Sequence, residues 1–155
     1  MSDVKISMLK TATLLLLAAF LTVPSARADV DVRDVKFGIL EQVAPDEYRM
    51  HIETTRIPQK LKETGFRFGL EFRNPNREAI EWFEVVHLPA PFTEATGNTR
   101  KIAPRAIQTD KYRSRDARVV DYFWFDRGDP IGRHRLELYV DGQKRYSVEF
   151  DVVPE

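Results

Sequence analysis

An all-β domain, folded as an antiparallel sandwich of seven to eight strands, is predicted by two features of this sequence. Apolar residues return with a period of two, not 3.6, almost throughout residues 29–155. Clusters of Gly, Pro, Asn and Asp interrupt that alternation at short intervals, as the turns of a sandwich require. A period of two sends successive side chains to opposite faces of a strand, so each run can bury one face and hydrate the other.

The first strand is read at Val35, Phe37 and Ile39, which alternate with Lys36 and Gly38. Beyond the turn signal at Ala44, Pro45 and Asp46, a second run places Tyr48, Met50, Ile52 and Thr54 against Arg49, His51, Glu53 and Thr55. Residues Ile57 to Gly65 break the pattern, and Pro58 near their start with Gly65 past their end predicts a single helical turn. Phe66, Phe68, Leu70 and Phe72 then alternate with Arg67, Gly69, Glu71 and Arg73, the cleanest half-buried strand in the chain. Asn74 and Pro75 could cap a helix through Glu78 and Glu81, but the aromatic and β-branched run from Trp82 to Val86 favours strand. Three more strands follow at Val119 to Phe125, His134 to Val140 and Tyr146 to Val152. Short strands and turns in this succession describe an immunoglobulin-like sandwich.

The last hairpin constrains its own turn. A two-residue loop of Asp141 and Gly142 would pair Val140 with Gln143, and carried along both arms it would set Leu136 and Leu138 on the face opposite Tyr146, Val148 and Phe150. A three-residue loop of Val140, Asp141 and left-handed Gly142 instead pairs Tyr139 with Gln143 and Leu136 with Tyr146. That register puts every large apolar residue on one face, so it predicts a glycine bulge.

Ahead of the domain, Lys5 and Lys10 precede the apolar run Leu14 to Leu21, and Ala26 and Ala28 frame an A-R-A cleavage site. These are the parts of a secretory signal peptide over residues 1–28, too short in its apolar run for a comfortable bilayer span. The expected mature chain starts at Asp29, follows the general secretory route to a bacterial periplasm, and carries no membrane span. Its 127 residues suit one domain over 29–155. Without the leader's Lys5, Lys10, Arg27 and Asp3, 21 basic residues face 23 acidic ones, a balance that does not suggest a nucleic-acid partner. With no cysteine, neither a disulfide nor a lipidated cysteine is available.

The segment IPQKLKETGFRFG, the aromatic strand DYFWF and the ending LELYVDGQKRYSVEFDV together resemble a family of small exported bacterial proteins of unknown function with an immunoglobulin-like β-sandwich domain. The resemblance runs from about Gly38 to Val152. It implies the fold and export, and brings no activity with it. Asp129 to His134 departs from the Pro-Gly-aromatic turn that the family leads one to expect there.

Chemistry is limited by inventory. The mature chain has no Cys and two serines, Ser114 and Ser147, neither within a G-x-S-x-G elbow. His51, His87 and His134 fall on three different predicted strands without ligand spacing, so no metal is expected, and Met50 alone cannot make a methionine-rich copper site. Carboxylates are plentiful, but a small sandwich with short turns offers little cleft for a glycan between two of them. The Arg127-Gly128-Asp129 tripeptide reads as a turn and not as an adhesive motif.

Two surface features remain. From Arg100 to Arg118 seven basic residues, including Arg113 and Arg115, face two acidic ones, which describes either an edge strand kept soluble by charge or an anion-binding strip. Trp82, Tyr122 and Trp124 place large rings on strands whose other face is also apolar, so a covering loop or a partner must shield one side. The expectation is a non-enzymatic exported binding or assembly module of the envelope that needs no cofactor. Its partner would be an envelope protein, or a second copy meeting it through the aromatic face. A periplasmic domain binding an anionic glycan or lipid is the alternative, and a small glycan-active enzyme the third.

Overall fold

A computed structural model describes residues 30–92 and 97–155. The predicted signal peptide lies outside the described residues. Those residues form eleven strands and no helix. They are β1 (Arg33–Ala44), β2 (Glu47–Glu53), β3 (Arg56–Gln59), β4 (Arg67–Arg73), β5 (Ile80–His87), β6 (Thr99–Ala103), β7 (Ala106–Thr109), β8 (Tyr112–Ser114), β9 (Arg118–Phe123), β10 (Gly132–Val140) and β11 (Gln143–Pro154). One sheet runs β2-β1-β4-β9 and the other β3-β11-β10-β5-β7-β6, with β8 also on β5.

The core lies between the sheets, where the sequence alternation places it. Phe37, Phe68, Leu70 and Phe72 point inward from the first sheet, and Ile80, Trp82, Leu136, Leu138, Val140, Phe150 and Val152 from the second. Phe37 meets Phe150 with ring centroids 4.7 Å apart, and Phe72 stands edge-on to Trp82 at 5.8 Å. Such rings supply most of the buried apolar area in a domain of this size.

The excess of strands over the expected seven or eight has two sources. Residues Ile57 to Gly65 do not make a helical turn. Thr54 N–H still bonds Phe37 O in the first sheet, while Thr55 O accepts from Asp151 N–H in the second, so the chain changes sheets between them. It continues as β3, parallel to β11 and buried at Ile57, in an otherwise antiparallel structure. Pro58 is tolerated because β3 is an edge. The second source is the basic segment, which is three short strands, β6 to β8.

Asn74 caps no helix. Its fully buried side chain donates to Glu78 O at 2.9 Å and accepts from Glu78 N–H at 3.2 Å, closing a short loop before β5. That loop satisfies the backbone groups a helical cap would have used.

The final hairpin corrects the predicted register. Val140 pairs with Gln143 across a two-residue turn, with Asp141 at φ 51° and Gly142 at φ 79°. Both positive angles belong to the type I′ turn that matches strand twist. The bulge sits further along, between Leu138↔Tyr146 and Tyr139↔Lys144, where Arg145 is the extra residue. It restores Leu136↔Val148 and His134↔Phe150, so the apolar residues share one face, as the alternation demanded, in a register displaced from the predicted one. Asp141 also ties the turn to β5, its N–H donating to Glu81 O at 2.7 Å and its Oδ1 accepting from Glu81 N–H at 3.1 Å. Gly142→Val should cost about 1–2 kcal/mol, since a β-branched residue resists a left-handed φ. An unchanged melting temperature would contradict this account of the turn.

Candidate functional site

Two adjoining features of the sandwich interior carry chemistry beyond packing. The first is a pair of acids. Glu84 shares the inward face of β5 with Ile80, Trp82 and Val86, and is fully buried. Asp121 has the inward parity of Val119 and Phe123 on β9, in the opposite sheet. The two carboxyl groups approach each other across the core, close enough for each to act on the other's ionisation.

A local irregularity supplies their surroundings. β7 pairs with β5 through Val85↔Gln108, and β8 pairs through Trp82↔Tyr112, so one extra residue intervenes. This bulge turns both Thr109 and Tyr112 inward. The Thr109 hydroxyl accepts from Glu84 N–H at 2.9 Å and faces Glu84 Oε2 at 3.0 Å. Tyr112 packs on Trp82 at 4.7 Å, and its hydroxyl is met by the Asn98 amide.

Burial raises the Glu84 carboxyl well above its ordinary range, with the neighbouring Asp121 charge adding to the effect. Burial likewise pushes Asp121 up to about 6, opposed by the Glu84 carboxyl and by a hydrogen bond from Tyr122 N–H at 2.9 Å. Two acids in a low-dielectric interior without a paired cation hold at least one proton between them. Such a dyad can store or pass a proton, but neither carboxyl lines the cavity next to it.

That cavity, of about 120 Å³, opens where β9 faces β6 and β7. Phe68, Val86, Ile107, Phe123, Leu136 and Phe150 are among its walls, and Trp124, Asp126 and Asp129 stand at the β9 end. His134 also lines it, stacked on Phe150 at 5.1 Å with Nδ1 against Gly132 O at 2.9 Å. Burial lowers the His134 pKa, so the ring is neutral at neutral pH. Asp129 Oδ2 accepts from Asp126 N–H at 2.7 Å, and burial raises its carboxyl.

The residues singled out from sequence separate in space. Trp82 is 5% exposed in the core, which removes it from any surface patch. Tyr122 and Trp124 do come together, 6.3 Å apart, with the Arg67 guanidinium 5.5 Å from each ring. Tyr48 of β2 lies 4.6 Å from Tyr122 of β9, across the two strands between them. The Trp124 ring lies near Gly97 and remains 44% exposed. On the other sheet, Phe83 stacks on Tyr139 at 4.9 Å. The second apolar faces are thus covered largely from within the chain.

Arg113 and Arg115 line a shallow groove of about 910 Å³ with Lys111. Glu81, Asp116 and Asp141 line it too, so three cations face three carboxylates. Glu81 binds Arg113 at 3.0 Å and Lys111 at 3.2 Å, which holds its carboxyl below the usual range. This balance weakens the case for an anion strip. Arg100 and Lys101 lie on edge strand β6, where charge discourages strand addition. Of the histidines, His51 lies by Glu41 and His87 by Glu137, each at 3.4 Å. Among the described residues no three His, Cys, Asp or Glu gather as metal ligands.

Glu84, Asp121, Thr109 and the cavity escaped the sequence reading. An acid at an inward register position was the available signal for the first two, since Glu84 and Asp121 interrupt apolar runs of period two.

The profile of the PM0630 beta sandwich domain matches residues 35–153. Among solved structures, the chain is similar to the crystal structure of an immunoglobulin-like protein from Pseudomonas aeruginosa. The TM-score is 0.51 and the identity 18%, over 82% of this chain and 100% of that one. At that identity the likeness establishes the immunoglobulin-like fold. No curated protein matches the chain significantly.

Proposed function

Since the chain belongs to the PM0630 beta sandwich domain family, we propose that it is a non-catalytic binding module of the bacterial envelope whose ligand enters the cavity between the sheets. The observation that carries this reading is the side-opening apolar cavity with half-exposed Trp124 at its mouth. A pocket of apolar walls with a few convergent polar groups is the usual form of a small-ligand site. Export is supported by the basic, apolar and small-residue segments of residues 1–28. The absence of Glu84 and Asp121 from the cavity lining favours binding over acid–base chemistry. Tyr122, Trp124 and Arg67 form the adjoining surface on which a larger partner would rest.

The test is an NMR titration of the purified protein with toluene, a neutral probe of suitable size. Amide shifts should concentrate at Val86, Ile107 and Phe123, and Ile107→Phe should abolish them by filling the space. Shifts scattered over the surface, or none at all, would refute the cavity as a ligand site.

A further inference from the structure

Charge is unevenly distributed along the cavity's lining. Its volume of about 120 Å³ is somewhat below that of an engineered cavity known to accept benzene. One ring, or a chain of about four to six carbons, is the apolar bulk that it can hold. Among the described residues, the charged side chains of its lining are Asp126 and Asp129, and no Lys or Arg lines it.

We propose that the cavity binds a small organic ammonium compound: a primary amine whose apolar body enters between the sheets and whose charged nitrogen rests against Asp129 at the mouth. This rests on the cavity being a ligand site, and adds the class of ligand.

Asp129 is suited to the task by position. One carboxylate oxygen is engaged by the Asp126 N–H, and Asp129 N–H bonds Asp126 O at 3.2 Å, so the turn holds the group in place. Asp129 remains exposed at the mouth, and the partial desolvation that raises its carboxyl makes a cation a better neighbour than a neutral group. Deeper in, His134 carries no charge to repel one. With Nδ1–H donating to Gly132 O, its other ring nitrogen is an acceptor.

Arg127, in the Asp126–Asp129 turn, is exposed and does not line the cavity, and two further cations are engaged elsewhere. Arg67 sits over Tyr122 and Trp124 and donates to Thr64 O and Phe66 O. Lys101 lies 5.1 Å from the Phe92 ring and donates to Phe92 O. An anionic ligand of the same size would meet the Asp129 carboxylate at the mouth and, among the described residues, no lining cation.

Benzylamine, benzyl alcohol and benzoate share a ring and differ in charge, so titrating the full protein with each separates shape from charge. Benzylamine should bind about tenfold more tightly than benzyl alcohol, the scale of one charge-assisted hydrogen bond. Benzoate should bind least. Asp129→Asn keeps an acceptor for Asp126 N–H and should bring benzylamine down to the level of the alcohol. Equal binding of amine and alcohol, preference for benzoate, or an amine preference that survives Asp129→Asn would overturn the ammonium assignment while leaving the cavity a ligand site. Failure of all three probes, together with toluene, would overturn both.

Discussion

Glu84→Gln should stabilise the protein above about pH 6 and change little below about pH 4. In the unfolded chain both carboxyls ionise near 4. In the fold, burial and mutual repulsion hold both higher, with Asp121 at about 6. Over the interval between, the folded chain binds more protons than the unfolded chain, so the stability that the pair contributes is complete at low pH. It is lost as pH rises through the folded values. An amide at position 84 has no proton to retain. It can donate to the Asp121 carboxylate and still accept from Thr109. The gain at neutral pH should be on the order of 2 kcal/mol. Other carboxylates, such as Glu41 and Glu81, are held low by Arg and Lys partners and lose stability in acid. The decisive quantity is therefore the difference between the two proteins in denaturant unfolding across pH. A difference that stays constant with pH would show that Glu84 and Asp121 do not share a proton.

Gly69→Ala should cost on the order of 3 kcal/mol or more, or prevent folding. Gly69 pairs with Gly38 on one side and Tyr122 on the other, in the middle of the first sheet. A methyl group there would stand 2.1 Å from Asp121 O and 2.9 Å from Tyr122 Cα, and both are backbone atoms that no rotamer change can move. The shift forced on β9 would also displace the Asp121 carboxyl from Glu84. Gly65 offers the control, since a methyl group there meets nothing within 4 Å. Gly65→Ala should stay within about 0.5 kcal/mol of the parent protein. Equal effects of the two substitutions on urea unfolding would dismiss the close approach of β4 and β9.

The elements that could be read from sequence are those whose local pattern agrees with their burial. From Phe66 to Phe72 every second residue is apolar, and β4 buries that face. Where the alternation is short or broken, the reading failed for identifiable reasons. Pro58 and Gly65 signal a helical turn locally. The strand actually formed at Arg56–Gln59 depends on β11, nearly a hundred residues later in the chain. At the last hairpin, the demand for a common apolar face fixed the parity of Leu136 against Val148. Whether the odd residue would be Gly142 or Arg145 depended on turn geometry and on the tie from Asp141 to β5.

The candidate site was less accessible because its parts come from different sheets. Among the surface candidates, Tyr122 and Trp124 proved to be neighbours, while Trp82 proved to be core. Arg113 looked like free charge until Glu81 was found beside it. Charge runs in a sequence say nothing about the side chains that a neighbouring strand will supply.

The alternation of residues 29–155 determined by itself that this protein is a two-faced β structure, because a period of two has few other ways to bury its apolar side chains. Its turn residues determined where most strands end. Tertiary structure alone decided which strands face one another across the core. That choice brought Glu84 of β5 against Asp121 of β9, and opened a cavity between β9 and β7. Contacts between sheets join residues distant in sequence, and a periodicity carries no information about its partner.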